Sequence, residues 1–155
     1  MAEVYFYHLT RTSLPVTLAD LLAKCRGRNW RVLLKLSSAN RLKWLDDLLW
    51  TQNDTGFLAH GIADRDRSDM QPVLLTLSDE NTNHAEIMMA VDGCDVRTEE
   101  CQGYQRVCVI FDGNDPAALE VARGQWKTLT DAGLPAKYWS QESGNWQAKA
   151  QKNQP

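Results

Sequence analysis

The stretch RVCVIFDGNDPAALEVARGQWKTLTDAGLP, residues 106–135, holds a strand, a turn and a helix in direct succession. Arg106 to Phe111 is rich in β-branched and aromatic residues and predicts a strand. Asp112-Gly113 is a turn dipeptide. Asp115 is a good helix N-cap and Pro116 fits the first helical position, where its missing N–H costs nothing. Leu119, Ala122, Trp126 and Leu129 then fall on one stripe. Gly133 ends the helix and Pro135 prevents its resumption. A strand feeding a helix with one apolar stripe is the repeating unit of an α/β fold.

The rest of the chain repeats this grammar. Val4 to Leu9 predicts a first strand. Leu18, Leu21, Leu22 and Cys25 then recur at helical spacing, with Thr17 placed to cap the helix, Asp20 near its positive end and Gly27 suited to stop it. Arg31 to Leu36 predicts a second strand, in which Val32-Leu33-Leu34 is continuous enough to be buried on both faces. Ser37 or Ser38 can cap a further helix carrying Leu42, Leu45 and Leu49, widened by Trp44 and Leu48. Val73 to Leu77 and Glu86 to Val91 are two more strands. The order predicts an α/β domain with a largely parallel sheet. Between them, residues 51–56 are polar and residues 64–69 charged, as in flexible loops. After Lys137 only Tyr138, Trp139 and Trp146 punctuate a polar sequence, and Ala150 to Pro155 is expected to be disordered. The expected division is a domain at 1–137 and an aromatic-containing extension at 138–155.

Composition excludes several classes. At 155 residues, 43% hydrophobic and 24% charged, the chain suits one globular domain. The net charge of −3 argues against a broad phosphate-binding face, so contact with DNA is expected to be indirect. Its apolar runs fall far short of the roughly 20 residues that span a bilayer. MAEVYFYHL has no basic head and long apolar core, so it reads as a strand, not a secretion signal, and the expected location is cytoplasmic. Cys25, Cys94, Cys101 and Cys108 are then expected to be thiols. Their spacing, and that of His8, His60 and His84, does not match metal-ligand pairs two to four residues apart, so no metal is expected.

A catalytic reading finds little support. No GxGxxG or GxxxxGK[ST] is present, and Thr10-Arg11-Thr12-Ser13-Leu14-Pro15, where a dinucleotide fold keeps its glycines, has none. No cofactor is expected. Asp92 and Asp112 close strands, a place where α/β enzymes hold ligands. A small nucleotide-handling or hydrolytic enzyme using either is the alternative reading, although Asp-Gly is also an ordinary turn. Two features suggest binding. Arg123 and Lys127, four apart, share a helix face beside Trp126 and suit a carboxylate next to an apolar group. Glu120 could neutralise Arg123, and Trp126 also fits the core stripe. Trp50 and Phe57 lie where a helix gives way to a flexible segment, as interface anchors often do.

Taken in order, several pieces resemble one family. They are Phe6-Tyr7-His8-Leu9, Arg41-Leu42 through Asp46 to Leu49-Trp50, Phe57 to Gly61 and Gln71-Pro72-Val73. Val91-Asp92-Gly93, Arg106-Val107 through Ile110 to Gly113, Ala122-Arg123, Trp126-Lys127 and Tyr138 to Gln141 continue the series. The chain is similar here to the chi subunit of bacterial DNA polymerase III. The resemblance implies a Rossmann-like three-layer α/β/α domain without a functional nucleotide-binding loop. It also implies a non-catalytic accessory role with two partners. These are the psi subunit of the clamp loader, through Trp50 and Phe57, and the acidic, phenylalanine-ended C-terminal tail of single-stranded DNA-binding protein. For the tail it implies Arg123, Trp126 and Lys127, with Phe111 as a further packing residue. Where some members carry a lysine one turn before the arginine, this chain has Leu119.

Overall fold

A computed structural model describes residues 2–51, 61–62, 71–78, 80–141 and 146–154. Phe57 and the charged segment at 64–69 lie outside the described residues. In chain order the elements are β1 (Glu3–Leu9), α1 (Leu14–Gly27), β2 (Val32–Lys35), α2 (Ala39–Thr51), β3 (Gly61–Ile62), β4 (Val73–Thr76), β5 (Ile87–Val91), α3 (Thr98–Cys101), β6 (Arg106–Asp112), α4 (Pro116–Asp131), β7 (Ala136–Ser140) and β8 (Gln147–Lys152).

The contiguous apolar runs go to the middle of the sheet, where both faces are covered. Every residue of β2, β4 and β5 is buried. The strand order is β3-β4-β2-β5-β6-β1-β7-β8, parallel throughout except for the antiparallel pair β7–β8. Strand alternation divides the core in two. Val32 and Leu34 face the side covered by α1 and α2, with Leu18, Leu22, Leu42 and Leu45. Leu33 faces the other side, where α4 contributes Ala122 and Leu129, and α3 contributes Cys101. The result is a three-layer α/β/α sandwich: the largely parallel sheet follows the element order, and the three layers are what the family resemblance implies.

Two expectations need correction. The first helix begins at Leu14, with Ser13 in the N-cap position, not after Thr17. Pro15 fits the first turn, and the Thr17 hydroxyl is spent on Thr12, 2.7 Å away. The second concerns the C-terminus. Residues 147–152, the start of the supposedly disordered end included, form β8. Its composition is poor for a strand, but β7 presents an unpaired edge and Trp146 packs against Tyr7 at 5.2 Å. Asn153 then donates to the carbonyls of Thr130 and Leu134.

All four cysteines are free thiols inside the protein. Burial raises the Cys94 thiol to about 11 and the Cys101 thiol to about 12. The same cause pushes Cys25 and Cys108 upward.

Candidate protein-binding site on the last helix

The site begins with a helix fixed at both ends. Asp115 Oδ1 accepts the Ala117 N–H at 3.0 Å, and Pro116 follows the cap. At the other end Gly133 has φ +92°, its N–H donates to the Thr130 carbonyl, and the Leu134 N–H donates to Leu129. This is the paired closure that a glycine in the left-handed region makes possible. Ala122 and Leu129 are buried in the core, and Leu119 and Trp126 pack against it half-buried.

That placement turns Arg123 and Lys127 to solvent. Neither side chain forms a salt bridge with a described residue, Glu120 included. Two cations one turn apart repel by a few tenths of a kcal/mol, roughly, which an anion between them would relieve.

Beside them Trp126 is held by residues from distant parts of the chain. Its ring meets Phe6 at 5.4 Å and Tyr138 at 5.9 Å, both edge-to-face. Tyr138 stacks on Phe6 at 6.5 Å, and its hydroxyl lies 2.8 Å from His8 Nδ1. Phe111 touches His8 and Tyr138 and is only 5% exposed. It is thus a buried support, linked to Trp126 through Tyr138, which meets both rings. Tyr138, His8 and Phe6 are site residues that spacing could not reveal, because β1 and β7 bring them from opposite ends of the chain. Their one signal in the sequence is that all three fall in the stretches that carry the family resemblance.

The remaining sequence candidates lie elsewhere. Trp50 falls in the last turn of α2, and Phe57 lies outside the described residues. Asp92 receives a two-pronged ion pair from Arg41, at 2.8 and 3.0 Å. That hydrogen bond, before any other cause, raises the Arg41 pKa. Asp112 Oδ1 accepts the Asn114 N–H at 2.9 Å, an ordinary turn bond. Both border a cleft of about 900 Å³ at the carboxyl ends of the strands, the usual ligand position of this fold class. The loop before α1 is already engaged, since the N–H groups of Thr10, Arg11 and Thr12 converge on Gln141 Oε1 at 3.2–3.5 Å. In a dinucleotide fold the amides after the first strand face phosphate; here the Oε1 of the buried Gln141 takes the phosphate's place as acceptor.

Fold and site thus define an α/β domain whose developed surface is a cationic–aromatic helix face. Comparison with known proteins gives the family. The model described as DNA polymerase III chi subunit, HolC, matches residues 1–137, and the chain belongs to that family. A probable DNA polymerase III subunit chi from Rickettsia prowazekii (strain Madrid E) is 21% identical over 117 residues, covering 72% of this chain and 71% of that protein. The family is an accessory subunit of the replicative polymerase.

Proposed function

We propose that the chain is a non-catalytic adaptor that joins the clamp-loader complex, through psi, to the C-terminal tail of single-stranded DNA-binding protein. One observation carries the tail half of this reading: Arg123 and Lys127 are exposed without an acidic partner among the described residues, beside a Trp126 ring fixed by Phe6 and Tyr138. A tail ending in phenylalanine offers the complementary groups. Its terminal carboxylate pairs with the two cations, and its ring packs on the Trp126 edge. Phe111 serves as a buried support, keeping Tyr138 and His8 in place. Leu119 supplies apolar wall where some relatives have charge. For psi the reading rests on family membership and on the position of Trp50 and Phe57 in the sequence.

The test is a titration of a labelled tail peptide. Arg123→Ala is expected to weaken binding at least tenfold, about 1.4 kcal/mol. Equal affinities would remove α4 as the tail site. Because the contact is partly ionic and exposed, its affinity should also fall as salt rises.

A further inference from the structure

On the opposite face of the sheet from Trp126, a cavity of about 260 Å³ lies between α1 and the strands β5, β6, β1 and β7. Its walls combine two chemistries. Tyr7, Trp30, Trp139 and Trp146 supply aromatic surface. Lys24, Arg28 and Arg106 supply three cations against the single carboxylate of Asp20. Burial pushes the Tyr7 hydroxyl and the Cys25 and Cys108 thiols upward, so the floor carries no competing negative charge near neutral pH.

Arg106 is well held: its Nη2 is 3.5 Å from Glu3, and its guanidinium lies over Tyr5 at 4.4 Å and Trp30 at 5.3 Å. Arg28 also lies over Trp30, at 5.1 Å. Lys24 and Arg28 are exposed, and neither forms a salt bridge with a described residue.

We propose that this cavity binds a small aromatic carboxylate: a single ring packed among the aromatic side chains, with its acid group received by the cavity's cations. Size decides between the two sources of such a group. The volume is below the 300–1,000 Å³, approximately, of ordinary ligand pockets, so it fits a free one-ring acid better than the end of a peptide with its backbone.

The full-length ¹⁵N-labelled protein tests this through the indole N–H resonance of Trp139. Benzoate or phenylacetate should shift it saturably, with a Kd on the order of 1 mM, the range for about ten heavy atoms. Acetate, which lacks the ring, should leave it unmoved, and benzyl alcohol, which lacks the charge, should bind about tenfold more weakly. The exposed pair Lys24→Gln with Arg28→Gln should weaken acid binding about tenfold by tryptophan fluorescence. Three results would overturn the proposal: no saturable shift with either acid, unchanged affinity in the surface double variant, or a Trp139 shift produced by a phenylalanine-ended peptide and not by the free acids.

Discussion

Gly113 links the turn after β6 to the aromatic support of the α4 site. Its N–H donates to the Leu9 carbonyl at 2.7 Å, and a Cβ placed there would overlap the His8 imidazole and come within 2.8 Å of the same carbonyl. His8 in turn holds the Tyr138 hydroxyl. Gly113→Ala is therefore expected to cost about 1–3 kcal/mol in urea unfolding, as overpacking does, and to perturb the Trp126 fluorescence environment. The same substitution at exposed Gly124, where a Cβ meets nothing within 4 Å, should not destabilise. Cys101 gives a pH-dependent case. Burial, aided by Glu100, raises its thiol from 9.0 to about 12. The folded state keeps a proton that the unfolded chain loses, so this contribution is complete below about pH 9 and is lost as pH rises toward about 12. Urea midpoints measured at about pH 8 and pH 10 should fall more steeply for the natural protein than for Cys101→Ala. Equal slopes would show that another group governs the alkaline limb.

At the level of elements, the C-terminal hairpin does more than its sequence suggests. A chain ending at Gln141 keeps the side chain that takes up the Thr10, Arg11 and Thr12 amides. It loses the cover of Trp146, the β8 pairing and the Asn153 bonds to the end of α4. That truncation should lower Tm by roughly 5 °C or more and, by baring the β7 edge, promote association visible in light scattering. An unchanged Tm would mean that the hairpin contributes little. The contrast between α4 and β8 shows what could be read from sequence. Asp115, Pro116 and Gly133 act on their own neighbours, so local chemistry was enough to bound α4. In QAKAQK no residue favours a strand; pairing with β7 is what makes it one. The α1 start was misplaced because Thr17, a competent cap, spends its hydroxyl on Thr12. The site divides in the same way: the i, i+4 pair Arg123 and Lys127 was legible, whereas the Phe6–Tyr138–His8 support depends on β1 lying between β6 and β7.

Across the whole molecule, α4 packs into the core on one face of the sheet and α2 into the core on the other. Under the proposed function the tail meets the first and psi the second, so the two interfaces share no side chain. A tail peptide titrated against the chain alone and against its complex with psi should give the same Kd within about twofold, since separated sites with no common element that moves have little coupling. A tenfold difference would mean that psi reaches α4 or distorts it. The middle of the sheet between these faces, β2, β4 and β5, is buried on both sides. Such a partition would insulate the two proposed interfaces. Tails could exchange repeatedly on one side while the other remains docked, and neither partner would sense the occupancy of its neighbour. The chain would then work as a coupling pin, passing on position and withholding news of state.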